Sequence, residues 1–316
     1  MLVDSVELLD QWRDEIITHV RVPCGVIRED RFDYGPDWPF VIGTVQTIAR
    51  RQMLEAVRRS WRTVIMDECK AAPCETVWGA LRRIYSRYVF GLSATPDRSD
   101  GLGNAVGWII GPTIARLARK MEADVRFIPI PWRGCKIPKE GSDGVIRKFT
   151  PKIVRNGTTS WVEAEKSLMR DEARMACLVD EIMREVETNG RKPLVMVGLV
   201  EHAERWVAAL EARGLDVGTL WGSSSRHEGA KQAVVATYKK AGQALSIKPP
   251  VDLFVPAGPV RDIRQAVGRS LEPEVPQRTL ILDPVDNEPS LRVWAAVRQS
   301  TYARQGLRLL NEAYQR

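Results

Sequence analysis

The sequence predicts two α/β units in tandem, each built on a parallel sheet and joined by an irregular middle. Three observations predict it. Short apolar runs alternate with amphipathic helical stretches, the order that builds parallel strands with helical crossovers. Several runs end in polar turns, such as Asp67-Glu68, Ser93-Ala94-Thr95 and Gly222-Ser223, so polar groups gather at one sheet edge, where open α/β sheets place ligands. The alternation is interrupted by a basic, Gly/Pro-punctuated stretch at 133–159 with weak periodicity. The resulting boundaries are 1–125 for the first unit, 126–160 for a connector or insertion and 161–316 for the second.

Taken in order, Leu2-Val3 reads as the end of a strand and Asp4-Ser5 as a helix cap. Val6, Leu8, Leu9, Trp12, Ile16 and Ile17 follow at helical spacing. Residues 22–39 are rich in turn formers. Phe40-Val41-Ile42-Gly43 is a short buried strand running into Thr44-Val45-Gln46-Thr47, with a helix over Met53, Leu54 and Val57 after it. Val64-Ile65-Met66 is the next strand, ending in Asp67-Glu68, and a helix is expected at 75–85. Tyr88 to Leu92 is a strand ending in Ser93-Ala94-Thr95-Pro96, and 97–107 is a loop. A strand at 125–132 precedes the irregular middle. One long helix is expected at 162–187, capped by Asn189-Gly190. Strands at 193–197, 216–220, 233–238, 251–255 and 279–283 follow, with helices at 201–213 and 261–270 and a basic helical segment at 290–314.

Composition narrows the class. The 316 residues carry 47 Lys+Arg against 40 Asp+Glu, a net charge of +7, which permits nucleic-acid binding without requiring it. Five scattered cysteines without a C-x-x-C pair, and three histidines, argue against structural zinc and for a reducing cytosol. No run of 18 apolar residues and no signal-like start are present, so a cytoplasmic chain without a membrane partner is expected, in the host cytoplasm if the source is a phage. Ten tryptophans suit core packing first and base stacking second.

The polar turns suggest chemistry. Asp67 is placed to hold Mg²⁺ through water, and Glu68 to orient or deprotonate an attacking water. The same pair would also suit an ordinary helix N-terminus. Ser93 and Thr95 are strand-end hydroxyls with turn capping as the alternative role. His202 reads as a partly exposed polar residue, and Cys69 as a small buried side chain rather than a nucleophile.

The order of these pieces resembles the superfamily 2 nucleic-acid helicases and translocases over nearly the whole chain. The branch-migrating phage helicases and the restriction-translocase-like subgroup look nearest. Val64-Ile-Met-Asp-Glu-Cys-Lys70 matches the DExx form of Walker B, and Gly91-Leu-Ser-Ala-Thr-Pro96 matches the SAT motif. Asp97-Arg98-Ser99-Asp100-Gly101 is that subgroup's continuation, and Gln265-Ala-Val-Gly268-Arg269 matches the start of Q-x-x-G-R-x-x-R. The resemblance implies two RecA-like domains with ATP and Mg²⁺ between them. It makes Asp67 the metal residue, Glu68 the water-positioning residue, and Gln265 and Arg269 catalytic, the latter as an arginine finger. Ser93 and Thr95 would couple the nucleotide's state to a phosphate-gripping track of Ser5, Thr44, Gln46, Ser223 and Thr237. Each of these hydroxyls taken singly is as well explained by capping. The implied partner is DNA, with RNA as the alternative, single-stranded or branched.

Three departures qualify the match, one of them in Ala244-Leu245-Ser246-Ile247-Lys248, where many relatives carry Gly and Asp at the positions of Ala244 and Ser246. No Gly-Lys dipeptide occurs, so no G-x-x-x-x-G-K-[ST] loop is present, and Glu272 stands where the pattern ends in arginine. The family places that loop and its strand before the segment resembling Leu2 to Ser5. The expectation is an ATP-driven helicase whose P-loop piece lies upstream or is separately encoded, with apolar residues around Tyr88-Val89-Phe90 exposed in its absence. The runner-up is a catalytically impaired nucleic-acid-binding pseudo-helicase, and a restriction-complex motor subunit with a nuclease partner ranks third.

Overall fold

The structure is a computed structural model describing residues 1–53, 55–93, 101–116, 122–131, 137–140, 146–149, 154–155, 158–222, 224–225, 231–242, 251–260, 263 and 278–311. The chain forms two units, Met1–Ala118 and Arg119–Arg316, and the large sheet of each is predominantly parallel.

The first unit comprises β1 (Leu2–Val3), α1 (Val6–Glu15), β2 (Cys24–Arg28), β3 (Arg31–Phe32), β4 (Phe40–Thr44), α2 (Val45–Arg50), α3 (Glu55–Arg58), β5 (Thr63–Met66), α4 (Glu75–Leu81), β6 (Tyr88–Gly91) and α5 (Gly103–Ile109). Its strand order is β3-β2-β4-β1-β5-β6. The two-residue β1 sits inside the sheet, pairing in parallel with β4 (Leu2↔Gly43) and β5 (Leu2↔Met66). Its burial explains that position, since Leu2 is 3% exposed and Val3 fully covered. Leu2, Ile42, Ile48, Val64, Met66 and Val77 belong to the buried interior of this unit. At the other margin, β6 pairs only with β5 among the described strands, and Tyr88, Phe90 and Leu92 are each more than 40% exposed.

The helix expected over Met53, Leu54 and Val57 is instead divided. Residue Thr44 caps α2 immediately after β4, and the chain turns extended at Arg51, leaving a four-residue α3 to carry Val57. The helix expected to reach residue 85 stops at Leu81, and the Tyr85 amide donates to Arg58 O instead.

The second unit holds β7 (Ala123–Ile130), β8 (Ile137–Glu140), β9 (Ile146–Phe149), β10 (Val154–Arg155), β11 (Thr158–Thr159), α6 (Trp161–Met169), α7 (Glu172–Asn189), β12 (Pro193–Val197), α8 (Val200–Glu211), β13 (Val217–Trp221), β14 (Ser224–Ser225), β15 (Ala233–Thr237), α9 (Tyr238–Gly242), β16 (Leu253–Pro256), β17 (Thr279–Asp286), α10 (Pro289–Arg304) and β18 (Arg308–Leu309). The large sheet runs β14-β13-β15-β12-β16-β17-β7-β18. The expected boundary at 125/126 falls inside β7, which pairs with β17 over eight residues, Ala123↔Thr279 to Ile130↔Asp286. The stretch at 133–159 contributes two small antiparallel pairs, β8 with β9 and β10 with β11.

Strand alternation sorts this unit's core onto two faces. Leu194, Met196, Val234, Ala236, Phe254 and Ile281 share a cluster with Ala295 and Tyr302 of α10. Val195, Val197, Val235, Val255 and Leu282 share the other with Leu178 and Ile182 of α7 and Trp206 and Leu210 of α8. The single long helix expected at 162–187 is two helices, because Asp171 starts a new one by accepting from the Arg174 amide at 2.9 Å. The helix expected to run to 314 ends at Arg304, and a left-handed Gly306 (φ +76°) returns the chain as β18 beside β7. No described helix is long and apolar enough to cross a membrane.

Candidate functional site

Three parallel strands of the first unit deliver the predicted residues to one sheet edge. Ser5 follows β1, Thr44 closes β4, and Asp67 follows β5. The turn after β5 is fixed atom by atom. The Asp67 amide donates to Leu2 O (3.0 Å), and its carboxylate accepts the Glu68 amide at Oδ1 (2.9 Å) and the Trp12 indole Nε1–H at Oδ2 (2.9 Å). Trp12 thus aims the carboxylate from α1, a role its place in an apolar helical stripe does not announce.

Glu68 takes a left-handed backbone (φ +48°, ψ +48°), a conformation uncommon for non-glycine residues and concentrated at functional sites. Lys70 Nζ lies 3.5 Å from a Glu68 carboxylate oxygen, both side chains being partly exposed. The Cys69 amide donates to Leu92 O (2.9 Å), and the Leu92 amide to Met66 O (2.8 Å), so the turn is tied to the segment carrying Ser93. Gly91 permits this closeness, because a Cβ there would stand 2.5 Å from Cys69 Cβ. Burial pushes the Cys69 thiol up from its ordinary pKa, and Glu68 and Asp67 push the same way. Cys69 is therefore a packing residue, as expected.

Asp67 fits a Mg²⁺ held through water. It is half-buried, its two oxygens are each oriented by one donor, and each keeps a further lone pair. Among the described residues no group of three or more His, Cys, Asp or Glu converges, so such an ion would rest on this carboxylate, water and nucleotide phosphates, where it would neutralise charge.

Ser5, Thr44 and Gln46 meet in one groove of about 610 Å³, lined also by Arg28, Arg50 and Arg51 and by the carboxylates of Asp4, Glu29 and Asp30. Their hydroxyls serve as caps at the same time: Ser5 Oγ accepts from the Leu8 amide (3.3 Å) and Thr44 Oγ1 from the Thr47 amide (3.4 Å). Gln46 Nε2 donates to both the carbonyl and Oδ1 of Asp4 at 3.0 Å, bridging the two turns. Ser93 follows β6 and is half-buried. Thr95, Ser223, Gln265 and Arg269 lie outside the described residues, as does Glu272.

In the second unit, Thr237 ends β15 opposite Val197 and is 6% exposed, so its hydroxyl is largely covered. The same edge carries a network that sequence reasoning missed. Glu165 of α6, 1% exposed, accepts at Oε1 from the Gly198 amide (2.6 Å), the Leu199 amide (3.1 Å) and His202 Nδ1 (2.9 Å). Trp206 Nε1 donates to His202 Nε2 at 3.1 Å, which fits a neutral ring protonated at Nδ1. Burial pulls the His202 pKa below its ordinary value, more than the hydrogen bond to Glu165 raises it. His202 is thus fully buried, correcting the expectation of partial exposure. A Cβ on Gly198 would lie 2.3 Å from Glu165 Oε2, so glycine is what lets the carboxylate reach the turn. The spacing of His202 and Trp206, one helical turn apart, was the available signal; Glu165 gave none.

Comparisons with known proteins bear on the family and the fold. The family profile described as the res subunit of type III restriction enzymes matches residues 1–98. A protein of Acanthamoeba polyphaga mimivirus, L396, named for an ATP-dependent RNA helicase, is 22% identical over 296 residues, covering 90% of this chain and 54% of its own. Helicase-named 055L of Frog virus 3 is 27% identical, covering 97% of this chain and 67% of its own. The chain thus spans about half the length of the first of these relatives and two thirds of the second. Among solved structures, S. cerevisiae Dbp5 bound to RNA and ADP BeF3 superposes with a TM-score of 0.59 at 13% identity, over 98% of this chain and 76% of that one. That likeness is one of fold: two parallel-sheet α/β domains of the RecA-like kind.

The profile match over residues 1–98 and the helicase-named viral proteins over most of the chain support a superfamily 2 helicase or translocase.

Proposed function

We propose that this chain works as an ATP-hydrolysing motor on nucleic acid, DNA in the first instance, of the phage branch-migrating or restriction-translocase-like kind. It acts in the cytoplasm of its cell or host. The observation that carries this reading is the convergence of Ser5, Thr44 and Gln46 in one groove, at the sheet edge where Asp67 and Glu68 also lie. Small hydroxyl and amide groups at strand ends suit backbone phosphates, which hold a strand without reading its sequence. Asp67, oriented by Trp12 and by its own turn, is the group for a nucleotide-bound Mg²⁺. Glu68 positions the attacking water and accepts its proton. Gln265 and Arg269 act on the charge that develops at the transferred phosphate, while Ser93 and Thr95 relay the nucleotide's state to the groove. In the second unit the phosphate contact is Ser223, while Thr237 is covered where it ends β15.

The test is a steady-state ATPase assay with and without single-stranded and forked DNA, and with RNA of matched sequence. Glu68→Gln should reduce a nucleic-acid-stimulated rate by about 10²-fold or more while leaving binding intact. An unchanged rate would remove Glu68 from the chemistry. A second reading, a strand-binding protein with impaired turnover, is favoured by Glu272, whose carboxylate would repel a triphosphate. It predicts salt-sensitive binding without stimulated ATPase from the same assay.

A further inference from the structure

A second pocket of the first unit adjoins the groove at Arg51-Gln52 and lies away from the Asp67 turn. It encloses about 750 Å³ and is lined by Gln52, Arg58, Arg82, Arg83 and Tyr85 among others. Its position follows from topology. The loop after α3 leads into the start of β5, and the loop after α4 leads into the start of β6. Parallel strands put both loops at the N-terminal edge of the sheet, the edge opposite Asp67 and Ser93, roughly 13 Å away along a four-residue strand.

The chemistry of this edge is one-sided. Residues 58–62 and 82–88 together hold six arginines, Arg58, Arg59, Arg62, Arg82, Arg83 and Arg87, and no carboxylate. Among the described residues, the ion pair of Arg59 with Glu55 at 2.8 Å is the one carboxylate contact these arginines make. The guanidiniums are nonetheless held in place. Arg58 donates from Nε to Arg83 O (2.7 Å) and from Nη2 to Arg82 O (3.4 Å), and Arg83 Nη1 donates to Arg51 O (3.1 Å). Arg58 and Arg59 lie over the Tyr85 ring at 4.4 and 5.2 Å from its centroid, and Arg82 lies over Trp78 at 5.9 Å. Fixed guanidiniums lose little entropy when an anion arrives, and their forks match phosphate oxygens. Tyr85 is already engaged by cations, so the pocket is built for phosphate contact rather than for base stacking.

We infer that the N-terminal edge of the first sheet is a second nucleic-acid contact, in which the Arg58–Arg82–Arg83 pocket grips backbone phosphates of an arm of DNA outside the groove at Ser5, Thr44 and Gln46. The inference rests on the nucleic-acid reading above and adds to it an adjoining surface. Two contacts on opposite edges of one unit suit a branched or looped substrate better than a single straight strand, since one duplex arm can be held while another segment moves.

Two measurements decide it. A forked DNA carrying azidophenacyl groups on backbone phosphorothioates is photocrosslinked to the protein and the labelled peptides are mapped. Recovery of the peptide carrying Tyr85 together with a peptide from residues 5 or 44–46 is the expected result. The groove peptide alone overturns the second contact and leaves the groove standing. The Tyr85 peptide alone keeps the second contact and overturns the groove, and neither peptide overturns both. In parallel, Arg82→Gln and Arg82→Gln/Arg83→Gln are compared with wild type for fork affinity across 50–200 mM salt. The exposed Arg82 should lower the log–log salt slope by about 0.9, and the double variant by about twice that. An unchanged slope in Arg82→Gln overturns the assignment to phosphates.

Discussion

Glu68 holds a left-handed backbone that costs a side-chain-bearing residue about 1–2 kcal/mol. Retaining it there means the turn after β5 is shaped for something other than stability. Glu68→Gly should therefore raise stability by about 1 kcal/mol, read as a higher urea midpoint at unchanged m-value, while abolishing stimulated ATPase. A loss of stability would show that the carboxylate's contacts outweigh the strain. Gly91 presents the opposite case. Gly91→Ala drives a methyl to 2.5 Å from Cys69 Cβ and should cost about 1–3 kcal/mol in a denaturation curve. Adding Cys69→Gly should recover part of that loss, and the double-mutant cycle measures the contact. At this scale Asp67, Glu68 and Cys69 were legible, because two carboxylates after an apolar run stand out. Trp12 was not, since its indole sits in a helical stripe and its partner is 55 positions away.

Elements were readable where a local signal set them and less so where two signals overlapped. Ser5 and Thr44 cap the helices that sequence reasoning placed after them, although the second helix starts and stops earlier than expected. The break between α6 and α7 was missed because the apolar positions on either side, Leu168 and Leu178 among them, continue a helical stripe without interruption. Asp171 makes the break by capping α7, and Asp171→Ala should cost about 1 kcal/mol in thermal or chemical denaturation. The turn between β12 and α8 was invisible for a different reason. Its anchor, Glu165, lies 33 residues before Gly198 and on another helix, so nothing in the local pattern joins them.

For the molecule as a whole, the order of strands and polar turns carried the family and the tandem α/β plan. Pairings across long stretches of chain, such as β7 with β17, needed coordinates because adjacency in a sheet is not written in either strand. The buried pair of Glu165 and His202 also sets a pH response. The folded-state pKa of His202 is depressed by burial below its ordinary value of 6.5, so the folded protein binds fewer protons than the unfolded chain. Its contribution is complete above about pH 6.5 and is lost as the pH falls through and below that value. Melting temperature should drop between pH 7.5 and 5.5, and His202→Gln should flatten that part of the profile. Equal slopes in both proteins would assign the drop to other groups.

The wedge of Cys69 against Gly91 gives the protein a built-in clock. The thiol is 7% exposed and its amide is bonded to Leu92, so reagent reaches it only when the turn after β5 parts from the segment ahead of Ser93. Cys74, exposed five residues later, reports the reagent's unhindered rate in the same tube. The ratio of the two alkylation rates then counts how often that contact opens, and how a bound nucleotide or strand changes the interval between openings.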